Sequence, residues 1–396
     1  MAQHMQTGDM QPGDMQAMRR SMVTLFLCGD VMTGRGVDQI LAHSCSPGIQ
    51  EEYVRDARDY VALAEEANGP ISRPVGPRYV WGDALQELER VAPDARIINL
   101  ETSVTTSDHF WPGKGIHYRM HPRNVDCLTA ARVDVCVLAN NHVLDYGHSG
   151  LDETVRTLTA AGLKTAGAAA TVDAARDPAI LDLARGGRVL VFATGTETSG
   201  IPKTWAATAK TSGVDLLPDV SDQTADALLH RVRRCKRPGD VAVVSIHWGD
   251  NWGYEVPGAH VRFAHRLLDG GVDLIHGHSS HHPRPIEIYQ NKLVLYGCGD
   301  FITDYEGITG YEHFRDDLVL MYFPRIDSAT GELVTLHMTP LQIRRMQVVR
   351  PSTDDREWLR ERLANVSRNF GCDLTASPDG TTFEGQPLVP FRTPDQ

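Results

Sequence analysis

The chain has 396 residues, 41% of them hydrophobic, and a formal charge of −12 from 51 acidic and 39 basic side chains. Such a length and apolar content support one large α/β domain with insertions, or two domains, around a real core. The acidic balance leaves no basic stripe for nucleic acid or an anionic membrane surface, so neither is expected as a partner. The seven cysteines, Cys28, Cys45, Cys127, Cys136, Cys235, Cys298 and Cys372, are dispersed and include no Cys-x-x-Cys pair. That pattern points to reduced, buried thiols in a cytoplasmic protein rather than a disulfide framework or a zinc knuckle. No apolar run approaches the ~20 residues that span a bilayer.

Residues 1–21, with the near repeat Thr-Gly-Asp-Met-Gln and Pro-Gly-Asp-Met-Gln, read as a disordered lead-in, and Met22 offers an alternative start. Val23 to Cys28 is a continuous apolar run that predicts a buried strand, ending at Gly29-Asp30-Val31-Met32. The following Gly34-Arg35-Gly36 lacks the spacing of a dinucleotide fingerprint. Residues 41–80 hold Pro47, Pro70, Pro74 and Pro77 and are expected to be an irregular lid or insertion over the sheet edge. A helix over 82–92 then leads to a strand over 95–101 that ends in Glu101. The loop 108–121 combines His109, Trp111, Lys114, His117 and Arg119, which suits an anionic or peptide substrate or a solvated loop equally.

A helix over 124–131 precedes a strand over 133–139 that ends in Asn140-Asn141-His142. The helix near 150–161 and strands at 164–166 and 188–193 continue the alternation of a layered α/β fold. The strand 241–246 ends in His247-Trp248-Gly249, a helix covers 259–268, and the run 272–275 delivers His276-Gly277-His278-Ser279-Ser280-His281-His282. A strand over 292–296 ends in Gly297-Cys298-Gly299-Asp300-Phe301; strands over 318–323 and 333–343 and a helix over 355–370 follow, with a Pro/Gly-rich tail from 377. Six strand ends thus carry Asp30, Glu101, Asn141 with His142, His247, His278 with His281, and Asp300. Ligands and acid/base groups of α/β enzymes gather at such ends. Residues 22–345 read as one domain, with 346–396 packed on it.

This ordered set resembles the calcineurin-like metallophosphoesterase superfamily, and within it the CapA-like branch named after poly-γ-glutamate capsule synthesis. The matching residues are Gly29-Asp30-Val31-Met32, Asn99-Leu100-Glu101, Asn140-Asn141-His142, His247-Trp248-Gly249 and Gly277-His278-x-x-His281. Tyr296 to Phe301 resembles the branch's later Gly-Asn-Phe element, and the likeness spans residues 23–325. It implies a four-layer αββα metallophosphatase-type sandwich with the site at the strand carboxyl ends. It also implies that Asp30, Glu101, Asn141, His247, His278 and His281 hold manganese, iron or zinc, with His142 serving a leaving group. The superfamily's Asp-x-His is here Asp30-x-Met32, so one metal position lacks a nitrogen ligand.

The same side chains without metal form an acid/base array for an α-carbon. Soluble CapA-like proteins include metal-independent peptide epimerases of lasso-peptide pathways, whereas capsule-synthesis members are typically membrane-anchored. The leading expectation is therefore a cytosolic epimerase of a precursor peptide that needs no cofactor. In it Asp30 pairs with His142, His281 or His313, although His313 reads equally as an exposed helix residue. Arg35, Lys114, Arg119, Trp248 and Asp300 are the candidate substrate-binding residues. The alternatives are a metal-dependent phosphoesterase or amide hydrolase, and a non-catalytic accessory protein of poly-γ-glutamate synthesis.

Overall fold

Residues 21–388 are described by the computed structural model. All but the last residue of the expected lead-in, and the end of the tail, lie outside them. The chain opens with β1 (Met22–Val31), followed by β2 (Ala95–Leu100), β3 (Val135–Val137) and β4 (Lys164–Ala166). These four lie side by side in that order and run parallel. Their near-continuous apolar sequences are those of strands covered on both faces. A second sheet is then built from β5 (Ala179–Asp182), β6 (Arg188–Gly195), β7 (Val241–His247), β8 (Leu274–His278), β9 (Ile286–Tyr289) and β10 (Lys292–Leu295). Its order is β9-β10-β8-β7-β6-β5, parallel in the middle and antiparallel at both edges.

The chain finally returns to the first sheet. Here β11 (Asp300–Ile302) pairs parallel with the carboxyl end of β1, and β12 (Leu318–Asp327) pairs antiparallel with its amino half. Then β13 (Glu332–Arg344), β14 (Gln347–Val349), β15 (Cys372–Ala376) and β16 (Phe383–Pro387) extend the sheet outward.

Strand parity decides what faces what. In the second sheet, Val241, Val243, Leu274 and Leu293 share a core with Leu25 and Leu27 of β1. Their neighbours Ala242, Val244, Ile275 and Val294 pack instead with Leu228, Leu229, Phe263 and Leu267 of the helices Asp222–Cys235 and Gly258–Asp269. Side chains alternate with period two along a strand. The same parity therefore carries Ser245, His247, His276 and His278 into the seam between the sheets. The result is the expected α/β sandwich.

Two stretches differ from expectation. Within residues 41–80 the chain forms the helix Arg58–Asn68, which buries Tyr60, Val61 and Ala64. Four prolines on its flanks hide this one-face helical pattern in the sequence. Beyond the C-terminal helix the chain forms β15, at the sheet's edge, and β16, between β15 and β13, rather than running irregularly. The C-terminal helix spans Thr353–Ser367, capped at its start by Ser352, whose hydroxyl accepts from the Asp355 N–H.

Candidate metal centre

Both sheets contribute to one buried group of side chains at their carboxyl ends. The first sheet supplies Asp30, Glu101, Asn141 and Asp300, and the second supplies His247, His278 and, just beyond β8, His281. All but Asn141 and His281 are at most 2% exposed. Asp30 and Asp300 are directly opposed in the parallel pairing of β1 with β11. That pairing is tight because Gly29 faces Gly299. A Cβ on Gly29 would sit 1.6 Å from the Gly299 carbonyl oxygen, which accepts from the Asp30 N–H at 2.9 Å. Between His278 and His281 the backbone turns through Ser279 at φ +108°. A side chain rarely tolerates such a value, and residues forced into it cluster at functional sites.

The histidine protons follow from the hydrogen-bond chain. His276 Nε2 lies 2.8 Å from the Cys28 carbonyl oxygen, which only accepts, so Nε2 carries the proton and Nδ1 is bare. Burial holds this imidazole down to about 4, and it is neutral. The Ser245 hydroxyl therefore donates to His276 Nδ1 (3.0 Å) and accepts from His278 Nε2 (2.8 Å). His278 Nδ1 is then bare and accepts from His247 Nδ1 at 2.8 Å. Burial and the adjoining imidazoles keep His247 and His278 neutral as well. The chain ends with an unprotonated His247 Nε2 facing the Asn141 amide oxygen at 3.0 Å and Glu101 Oε1 at 3.9 Å. An imidazole nitrogen, an amide oxygen and a carboxyl oxygen converge there.

The carboxylates are also strained electrostatically. Asn99 Nδ2 donates to Asp30 Oδ1 (2.8 Å) and Glu101 Oε2 (3.1 Å), and Asn140 holds Asn99 in turn. Oδ2 of Asp30 and Oδ2 of Asp300 are buried and have no hydrogen-bond partner among the described residues. Burial and the Asp300 charge push Asp30 up to about 7. Burial and the Asp30 charge raise Glu101, and burial raises Asp300. One donor atom each of Asp30, His247 and His278 lies within 4.8 Å of the others, and Asp30, His281 and Asp300 form a second such group.

These imidazole nitrogens and orphaned carboxylate oxygens, gathered out of solvent, could hold a divalent cation. Oxygen and imidazole ligands suit manganese, iron or zinc. Met32 offers only a thioether, 3.6 Å from the Tyr305 hydroxyl.

His142 adjoins this group, with Nε2 3.8 Å from Glu101 Oε1. Its Nδ1 lies 2.9 Å from Lys114 Nζ and 2.7 Å from Asp145 Oδ2. Burial and the Lys114 charge hold His142 down to about 4, so the ring is neutral. Asp145, an ionised carboxylate, only accepts, so Nδ1 carries the proton and a bare Nε2 faces the site.

The other candidates lie elsewhere. Arg35 is buried and its charge is consumed by Asp304 (2.9 and 2.5 Å) and Glu51 (3.0 Å), so it has no free face for a substrate. Arg119 is turned inward onto Asp108 and the Ser107 carbonyl. Trp248 is buried, donates to the Tyr296 carbonyl and stacks on His260, a structural role. His313 is exposed on a short turn, against Phe314. Asp300, read from sequence as a substrate contact, stands instead beside Asp30. Of the supporting residues, Asn99, Asn140 and His276 stand in the sequence motifs without an assigned role, and Asp145 and Ser245 are not named there. Asp145, three residues after His142 on the same turn, is the one whose spacing could have marked it.

Residues 24–305 match the family of bacterial capsule synthesis proteins PGA_cap. A probable polyglutamine synthesis accessory protein of Mycobacterium tuberculosis is 50% identical over 359 residues, covering 90% of this chain and 94% of its own. The PGA biosynthesis protein CapA of Bacillus subtilis is 27% identical over 246 residues, 62% of this chain and 60% of its own. Among solved structures, a novel phosphatase from Mycoplasma pneumoniae aligns at a TM-score of 0.42 and 11% identity, over 81% of this chain and 94% of that one. With the family pattern covering most of its length and a relative sharing half its residues, the chain belongs to the PGA_cap family of bacterial capsule synthesis proteins.

Proposed function

We infer that this protein is a divalent-cation-dependent hydrolase that cleaves an amide or ester of a glutamyl polymer. The observation that carries this reading is the convergence of bare His247 Nε2, Asn141 Oδ1 and Glu101 Oε1 at the end of a fixed proton chain. The polymer comes from the names of the relatives, one attached to polyglutamine synthesis and one to PGA biosynthesis. Asp30, Glu101, Asn141 and His247 would hold the cation, and His278 would join them once its Nδ1 gives up the hydrogen bond it accepts from His247. Once bound, such an ion supplies Lewis-acid polarisation and a water acidic enough to ionise near neutral pH. The chain's own residues do the rest. His142 presents a bare Nε2 to the site as a proton acceptor, Asp145 fixes that tautomer by accepting from Nδ1–H, and Asn99 orients the carboxylates.

The test is metal content and turnover of polyglutamine and poly-γ-glutamate oligomers, with a generic phosphate ester as comparison, before and after chelation. Activity should vanish with the metal and return with manganese. His142→Gln should keep its metal and lose about 10²–10⁴-fold in kcat. An active metal-free protein would sink this reading.

A second reading is acid/base inversion of a peptide α-carbon without metal. Asp30, poised at about 7 with His281 in the same cleft, favours it. Its signature would be deuterium entering a peptide substrate in heavy water after full chelation, with Asp30→Asn abolishing the exchange.

A further inference from the structure

We propose that the Tyr305 hydroxyl is a catalytic donor, aimed at the carbonyl oxygen of the glutamyl bond as negative charge gathers on it. The proposal deepens the hydrolase reading and rests on it. That reading asks Asp30, Glu101, Asn141 and His247 for lone pairs, and His142 turns a bare Nε2 inward. A carbonyl under attack needs the opposite, a donor fixed where its charge develops.

Tyr305 lies three residues beyond β11, and its ring stands nearly perpendicular to His281, with centroids 5.2 Å apart. Its hydroxyl oxygen is 2.8 Å from that of Tyr118, whose own ring crosses His142 at 4.4 Å. The phenol pair therefore reaches from one imidazole of the centre to the other. Among the described residues, only one order of protons gives both hydroxyls an acceptor. Tyr118 donates to Tyr305, and Tyr305 donates to the Met32 sulfur at 3.6 Å. A thioether is a weak acceptor, so an oxygen gaining negative charge draws this hydrogen bond away from sulfur. An imidazole or a carboxylate at position 32 would instead keep the hydroxyl occupied. Burial and the neighbouring Tyr118 and Asp300 raise Tyr305, so it keeps its proton and remains a donor.

The hydroxyl is also held in place. The Tyr305 N–H donates to Thr303 Oγ1 at 2.8 Å, and the preceding Asp304 is clamped by Arg35. The Arg35 guanidinium lies 4.8 Å from the Tyr118 ring centre and 5.7 Å from that of Tyr305. Tyr305 lines a cleft of about 280 Å³ with Thr303, Asp316 and Arg344, through which a polymer segment can reach it.

The experiment compares wild type, Tyr305→Phe and Met32→Gln, each a full chain loaded with manganese, on poly-γ-glutamate and polyglutamine oligomers. Tyr305→Phe keeps the ring against His281, so KM and manganese content should hold while kcat falls about 10²–10³-fold. The same variant should bind a phosphinate analogue of a glutamyl dipeptide, a tetrahedral mimic of the attacked carbonyl, more weakly by a like factor. Its affinity for an uncleavable ketomethylene isostere should not change. Met32→Gln gives the hydroxyl a strong acceptor with Tyr305 intact, and should lower kcat about tenfold. It carries the test if Tyr305→Phe fails to fold by circular dichroism.

A kcat for Tyr305→Phe within about threefold of wild type would overturn the proposal and leave the hydrolase reading standing. So would equal losses of affinity for phosphinate and isostere, loss of manganese along with turnover, or Met32→Gln as active as wild type. Manganese-loaded wild type that cleaves neither oligomer would sink both.

Discussion

Asp30→Asn should stabilise the metal-free protein while destroying its response to metal. Asp30 is fully buried, and its carboxyl is pushed from 3.8 to about 7 by burial and by Asp300. A carboxyl whose folded pKa is raised favours the fold fully below its unfolded pKa, and that advantage is lost as pH rises through the folded one. For Asp30 the loss runs between about pH 4 and pH 7, and above that range the ionised group costs the fold no more than about 4 kcal/mol. Asparagine removes that charge. Its Oδ1 can still accept from Asn99, and its new N–H groups can reach the unpartnered Asp300 Oδ2. Urea unfolding of chelated wild type and variant at pH 5 and pH 8 is the assay. The variant should be the more stable at pH 8 by about 2–4 kcal/mol, with the gap narrowing at pH 5. Manganese should then raise the wild-type midpoint and leave the variant's nearly unmoved. A variant less stable than chelated wild type at pH 8 would show that Asp30 is a net structural asset, and the electrostatic reasoning would fail.

Arg35→Met should cost about 3–5 kcal/mol in the same assay, because it strands Asp304 and Glu51 in the interior without their countercharge. A loss within 0.5 kcal/mol, roughly the effect of an ordinary surface change, would contradict that burial argument. Gly29→Ala should drive β1 from β11 by placing a methyl against the Gly299 carbonyl, costing about 1–3 kcal/mol or more. It should also weaken manganese binding, and an unchanged stoichiometry and midpoint would mean that the strand pair tolerates the spread.

Much of this arrangement is written locally. Apolar runs that give way to polar residues at Asp30, Glu101, Asn141, His247 and His278 mark the ends of strands without any tertiary information, since strands buried on both faces read as near-continuous apolar runs. What could not be read locally is what joins residues far apart. Asp300 sits on a three-residue strand, too short to show periodicity, and its partner Asp30 is 270 positions earlier. Arg35 looked available because its countercharges come from positions 51 and 304. Trp248 follows His247 and looked like part of the site. Strand parity turns it to the opposite side, into the core beneath the helix Gly258–Asp269. His281 and His313 were both candidate partners of Asp30, and the loop after β8 brings His281 to it.

The seam between the sheets has a consequence for how the molecule comes apart. Asp30, Glu101, Asn141 and Asp300 belong to one sheet, and His247, His278 and His281 belong to the other. An ion held by both groups therefore acts as a rivet through the two slabs, and it cannot leave the site whole if the slabs part. Resistance to proteolysis would then track occupancy of the centre, because the first opening that exposes the interior is the one the rivet forbids.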